Sequence, residues 1–460
     1  MAPAAARLGR LVRSPILGPA LVFFLICLAI SQGTTLSSDL ARELEMAQGF
    51  AKGALSTSWH ASPYPFLPGL YLLPAGLGGD LFGFKVASFL VILEFALLGA
   101  AMVALGMRWA ADVGDTAPTR SRALVIFVAT FGTLLWVFVA KVPMDIALAA
   151  TLCLAVVVLS QRGHDLWTGV ALGLLVLSRS QMVAVAAVGL IIAVLPHLRR
   201  RELGAALRLS APVAAGLLIL LATNRARFGG ILKFGHGYDH LVHYGLSWKG
   251  VTELFFSTDS GLVFFAPLVL VGAGSLWWRW RSDGPRSAPL AVGLSLAILC
   301  SVLVIHPLPQ DLLHAWYGWG QGCRFLVPMI PLTTYLLPLP LGKVTKLLVP
   351  LATLVGVVWS GSLLLVPYDA QERLNPGVNH PSALGQWRIL PTVWSNTWHL
   401  ITTGSSPWHH SGYFVSLWQV EVVRFGGSVT LALTIPATIA LLVVAVLLAR
   451  RIDWERNLSS

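Results

Sequence analysis

Long apolar runs, separated by short polar stretches, dominate the chain. A helix that spans a bilayer core needs roughly 20 apolar residues. On that rule the pattern predicts spans near 15–33, 84–107, 123–140, 144–160, 166–179, 181–196, 208–223, 261–279, 288–306, 325–341, 347–366 and 428–449. The fifth and sixth are short and flank Ser178, Arg179, Ser180 and Gln181, which reads as a hairpin with a polar tip. The expected fold is an all-α polytopic membrane protein of about twelve transmembrane helices. Residues 1–366 form one transmembrane module that includes a first outer loop, 34–83. An aromatic-rich outer loop, 367–427, and a last span with its tail, 428–460, complete the expected organisation.

A different periodicity appears in the first outer loop. From Ser37 and Ser38 to Gly53 the segment opens on helix-capping residues and closes on glycine. At about 100° per residue, Asp39, Leu40, Glu43, Leu44, Ala47, Phe50 and Ala51 share one face, opposite Arg42, Glu45, Gln48 and Lys52. An amphipathic helix on the outer surface follows. Its two carboxylates, Asp39 and Glu43, sit one turn apart at the edge of the buried face. Asp39 can cap the helix and Glu43 can pair with Arg42. Either could instead act as a base at the membrane boundary, where desolvation raises a carboxylate pKa.

Composition agrees with this pattern. Hydrophobic residues make up 56% of the chain and charged residues 11%, with a mean hydropathy of +0.75. A soluble domain carries about a quarter charged residues. The net charge of +12 could suggest a polyanionic partner, but its distribution argues otherwise. With the N-terminus inside, the inner loops hold nineteen of the 32 Lys and Arg and seven of the 20 acids. That excess of twelve equals the whole net charge, so it is the positive-inside signal and no nucleic acid is needed to explain it. Arg7, Arg10 and Arg13 precede the first span as in a signal peptide, yet no small-residue cleavage site follows, so that span is expected to remain as an anchor.

Candidate chemistry lies on the outer side, in the loops 34–83, 224–260, 306–324 and 367–427. Intramembrane acids default to functional hypotheses, which singles out Asp145, whereas Glu94 reads as a pair within the bundle. Arg179, Arg225, Arg227 and Arg324 are the cations nearest the outer boundary, where snorkelling is the alternative to anion binding. Cys27, Cys153, Cys300 and Cys323 fall singly in or beside apolar segments and read as small core residues. His236, Asp239, His240 and His243 have a spacing that metal ligands can use, but a polar interface helix explains them equally. No cofactor is indicated, and a divalent metal has no support. Gly-rich nucleotide-phosphate loops are absent, which disfavours a nucleotide sugar as donor.

Four stretches together resemble the GT-C superfamily of integral-membrane glycosyltransferases. The first is Ser38-Asp39 with Tyr64-Pro65-Phe66-Leu67-Pro68-Gly69 and Leu81-Phe82-Gly83. The second is Val142-Pro143-Met144-Asp145. The third comprises Asn224, Phe228-Gly229, Gly237-Tyr238, Ser260-Gly261-Leu262 and Ala266-Pro267. The fourth is Trp316-Tyr317-Gly318-Trp319-Gly320-Gln321-Gly322-Cys323-Arg324-Phe325-Leu326 with Pro328 and Pro331. The likeness covers roughly 15–340 and is closest to the bacterial branch related to protein O-mannosyltransferases and lipid A aminoarabinose transferases. Two features depart from it: Cys323 stands where relatives more often have Pro, and no large soluble C-terminal domain is seen.

The resemblance implies transfer of a sugar from a polyprenyl-phosphate donor to a glycan, lipid or protein acceptor. The reaction would occur at the outer face of a bacterial cytoplasmic membrane, with both termini cytoplasmic. By that likeness Asp39 takes the role of general base, with Glu43 in reserve. Arg324 and Arg179 would bind the donor phosphate, and Asp145, Tyr64, Tyr238, Trp316 and Trp319 would support the site. A transporter or flippase of a lipid-linked saccharide is the main alternative, and a ligase or polymerase acting on polyprenyl-linked sugars is a third.

Overall fold

Every apolar run predicted to span carries helix in the computed structural model. It describes residues 14–31, 38–53, 66–114, 117–141, 145–233, 248–257, 261–281, 287–305, 324–337, 342–367, 374, 383–403, 417, 420, 431–452 and 454–455. Helix α1 (Leu17–Ile30) is followed by three helices of the first outer loop, α2 (Ser38–Ala51), α3 (Phe66–Tyr71) and α4 (Leu73–Phe82). Next come α5 (Phe84–Asp112) and α6 (Thr119–Phe131), the latter continued by a π-helical turn over Val137–Lys141. Then α7 (Asp145–Gln161), α8 (Asp165–Ser178), α9 (Met182–Arg199) and α10 (Leu203–Phe228) follow one another through short turns. The short α11 (Trp248–Phe256) and α12 (Leu262–Phe265) lead to α13 (Leu268–Arg281) and α14 (Ala288–Ile305). A 3-10 turn, Arg324–Leu326, and α15 (Met329–Thr334) occupy the expected tenth span. Last are α16 (Lys343–Gly361) with a 3-10 turn at Ser362–Leu364, α17 (Ala383–Thr403) and α18 (Leu431–Ala449).

Among the described residues, four helices are long and apolar enough to cross a membrane: Phe84–Asp112, Met182–Arg199, Leu203–Phe228 and Lys343–Leu364. Shorter apolar helices, α1, α7 and α8 among them, pack between these. Their buried faces join into one core that holds Phe23, Phe95, Trp109, Phe138, Leu172 and Tyr335. Two of its buried aromatic residues have their polar atoms paired. The Trp109 indole N–H donates to Ser287 Oγ at 2.9 Å, and the Tyr335 hydroxyl meets Thr130 Oγ1 at 3.0 Å. Outward faces are apolar as well. On α16, Leu347, Leu351, Leu354 and Val358 recur at helical spacing and are exposed, the stripe a lipid phase would cover.

Several details differ from the sequence reading. The third span is broken after Phe131, where Gly132 lies against Gly356 of α16 and the chain restarts as the π-helix. The seventh span does not stop at 223: α10 runs to Phe228 and ends on Gly229, whose φ of 74° suits a residue without Cβ. The loop 34–83 holds three helices rather than one, and 367–427 contains the 21-residue α17. Cys27 and Cys153 are buried as expected, but Cys300 is exposed on α14. Arg122, counted with the solvated inner residues, is fully buried and donates to the carbonyls of Tyr335 and Leu337, both at 2.9 Å. Those carbonyls lie just beyond α15, so the guanidinium serves as its C-terminal cap.

At the basic side, His197 lies between two carboxylates. Its Nδ1 is 2.7 Å from Glu202 and its Nε2 is 3.3 Å from Asp165, which also faces Arg208 at 3.9 Å. The cluster ties α8, α9 and α10 together at their inner ends. His197 beside Glu202 holds that carboxyl below its usual range.

Candidate functional site

The polar tip expected at 178–181 exists but is not solvated. Ser178 is fully buried and Arg179 is 8% exposed. Arg179 follows α8 in extended conformation (φ −155°, ψ 144°), which turns its side chain across the bundle. Its Nε forms an ion pair with Asp145 Oδ2 at 3.1 Å, and Asp145, in the first turn of α7, is 3% exposed. An acid there also faces the positive end of its own helix.

A third element enters from the 3-10 turn. The Arg179 guanidinium carbon lies 5.3 Å from the centroid of the Phe325 ring, and that of Arg324 lies 4.8 Å from the same centroid. Two cations thus stand against one aromatic ring, each within cation–π range of it. Three residues picked out separately in the sequence, Arg179, Asp145 and Arg324, are therefore brought to one place. Phe325, quoted there only as part of a motif, is the side chain that joins them.

Helix length sets the depth of this cluster. With 14 residues at 1.5 Å rise, α8 is about 21 Å long, against a hydrocarbon core of roughly 30 Å. Its first residue, Asp165, sits in the charge cluster around His197, so Arg179 lies about 21 Å from that cluster along α8. The 17 residues of α7 give about 25 Å and place Asp145 at a similar level.

The segment between α1 and α5 packs against the helix that ends at Arg179. Helix α3 packs against α8, while α2 packs on both α3 and α4. Tyr71, at the end of α3, donates its hydroxyl hydrogen to the Glu94 carbonyl at 2.5 Å, ten residues into α5. Glu94 Oε1 accepts the Ala75 amide at 3.0 Å, satisfying an open N–H in the first turn of α4. This matches the structural role read for Glu94. Helix α2 and α4 meet closely at Gly76, where a Cβ would lie 2.8 Å from the Ala47 carbonyl carbon. Thus the buried face of α2 packs on α3 and α4.

Along α2 the expected faces hold. Leu40, Glu43, Leu44 and Ala47 are buried, while Arg42 and Glu45 are exposed. Glu43 is 1% exposed and turned away from the solvated Arg42 face. Asp39 lies in the first turn of α2, and its side chain is outside the described residues. Tyr64, Tyr238, Trp316 and Trp319 also lie outside them, as do Cys323, the candidate metal ligands at 236–243 and Val142-Pro143-Met144.

Arg225 and Arg227 fall within the last turn of α10, not after it. Arg225 is exposed, whereas Arg227 is 4% exposed and stacks on Phe228 at 4.7 Å. Neither is tied by a described contact to the Arg179–Arg324 cluster. One group escaped the sequence reading: Lys141, 1% exposed, ends the π-helix four residues before Asp145. A lysine closing an apolar run just ahead of an acid was the available signal. Among the described residues, no group of three His, Cys, Asp or Glu side chains converges as metal ligands would.

No family model matches the chain, and no curated protein matches it. Among solved structures it is similar to the crystal structure of ArnT from Cupriavidus metallidurans bound to undecaprenyl phosphate. The two are 17% identical with a TM-score of 0.44, over 95% of this chain and 72% of that one.

Proposed function

We propose that this chain is a membrane glycosyltransferase of the GT-C type that takes a sugar from a polyprenyl-phosphate donor at the outer membrane face. The observation that carries the proposal is the Arg179–Phe325–Arg324 cluster paired with the buried Asp145. A lipid phosphate bearing a sugar is a phosphodiester with one negative charge. Arg179, Arg324 and Asp145 together sum to one positive charge, which matches it.

In the proposed reaction Asp39 takes the proton from the acceptor hydroxyl. The oxygen attacks the anomeric carbon, its bond to the phosphate oxygen breaks, and the polyprenyl phosphate leaves with both electrons of that bond. The departing phosphate gains a second negative charge. Arginine forks are suited to stabilise it more strongly than the diester, as catalysis requires. Glu43, buried one turn after Asp39, would support the base or replace it.

The test is lipid mass spectrometry on cells lacking the protein, complemented with wild type or with Asp39→Asn at matched expression. A polyprenyl-phosphate sugar that accumulates in the null and Asn strains, and not with wild type, supports the reading and names the donor. Equal donor levels in all strains sink it. Accumulation relieved by the Asn variant would favour a flippase and return Asp39 to helix capping.

A further inference from the structure

Helix α17 divides its surface into three strips, not two. Gln386, Ile389, Val393, Thr397 and Leu400 are buried, packing with Val366 and Val420. Arg388, Ser395, His399 and Thr402 form a polar, exposed strip on the far side. Between the two, Trp387, Trp394 and Trp398 project from one flank at i, i+7 and i+11, exposed by 39%, 56% and 61%. Half-exposed tryptophans aligned over about 16 Å of helix need a covering phase.

Trp387 identifies that phase. Its indole N–H donates at 2.8 Å to the carbonyl of Val358, one of the last four of α16, which have no donor within their own helix. Val358 also ends the exposed stripe Leu347, Leu351, Leu354, Val358 on α16. The tryptophan flank of α17 thus continues the lipid-facing surface of a spanning helix at its outer end, opposite Lys343 and Lys346. Helix α17 carries no acidic residue and a single Arg, so neither strong attraction to anionic lipid nor repulsion from it is built in. Tryptophan, with an apolar body and one donor, favours the headgroup layer of a bilayer.

We infer that α17 lies along the outer leaflet at headgroup depth, with Trp394 and Trp398 inserted as anchors and Arg388 and His399 facing water. The position has a consequence for the chain that leads to Asp145. The Ser362–Leu364 turn touches both α17 and the π-helix that precedes Asp145. An anchored α17 therefore holds, through that turn, the π-helix that precedes Asp145.

The experiment is 19F NMR on the full chain labelled with fluorotryptophan in zwitterionic lipid nanodiscs, with Trp394→Phe and Trp398→Phe used only to assign two resonances. A lipid carrying a nitroxide just below its headgroup should broaden both signals severalfold more than a water-soluble gadolinium chelate does. Stronger broadening by the chelate would overturn the inference and make the flank a wet platform for sugar or protein. Protection from both agents would overturn it too, since the flank would then be covered by protein.

Discussion

The ion pair between Asp145 and Arg179 gives the sharpest prediction, because its two single variants and its double variant should behave differently. At 3.1 Å and an effective dielectric constant near 20, Coulomb's law gives a gross attraction of about 5 kcal/mol. Desolvating two groups that are 3% and 9% exposed consumes most of it, so the net value of the pair is small. Removing one partner is another matter, since the remaining charge stays buried. Asp145→Leu and Arg179→Met should each cost about 3–5 kcal/mol, whereas the double variant Asp145→Leu/Arg179→Met should lie near wild type. Asp145→Leu also loses the favourable contact with its helix N-terminus, about 0.3–1 kcal/mol. Reversible unfolding in mixed micelles, arranged as a double-mutant cycle, measures the coupling. Donor binding by the same four proteins separates structure from function: the double variant should be stable yet unable to retain polyprenyl phosphate. If the double variant is stable and still binds the lipid at wild-type affinity, the anion-site argument fails. Single variants as stable as wild type would refute the burial argument itself.

Other features make simpler predictions. Gly76→Leu forces a side chain into the backbone of α2 and should cost about 1–3 kcal/mol in the same unfolding assay; wild-type stability would mean that α2 and α4 do not meet there. Arg122→Met strips two carbonyls of charge-assisted donors at about 1.5–3 kcal/mol each. Hydrogen exchange should rise locally at 335–337. The depressed Glu202 carboxyl favours the folded inner latch above the ordinary Glu range, and that contribution is lost as pH falls through its lower folded value. Exchange at 197–203 should therefore increase below about pH 4 in wild type and differ little from Glu202→Gln there; identical wild-type exchange at neutral and acid pH would contradict it.

Much of the fold is legible because apolar run length and basic-loop asymmetry are local properties of the chain. The faces of α2 could be read from 100° periodicity alone, down to the exposure of Arg42 and Glu45. What periodicity could not supply is anything set by contact between distant segments. The break after Phe131 depends on how closely α16 approaches Gly132. The burial of Arg122 depends on carbonyls more than 200 residues away. For the site, the residue types Arg179, Asp145 and Arg324 were readable as costly charges near a membrane boundary. Their convergence on Phe325 was not, since it joins the end of α8, the start of α7 and a turn after residue 323. Helix α17 was hidden for a further reason: Pro391 and scattered polar residues blur an amphipathic pattern with three faces.

The same convergence narrows the choice of base in the proposed reaction. The ion pair at 3.1 Å commits Asp145 to the Arg179 guanidinium, so in that reaction it is suited to holding Arg179 rather than to activating a hydroxyl. A base has to come from a carboxylate not committed to a cation of the phosphate site. In the proposed reaction that base is Asp39, at the start of α2, a helix whose cations Arg42 and Lys52 are exposed and whose Lys52 is engaged by Asp80 at 2.7 Å. The packing of α2 on α3, and of α3 on α8, links that helix to the element that ends at Arg179, so base and phosphate site would be held by one continuous stack of helices.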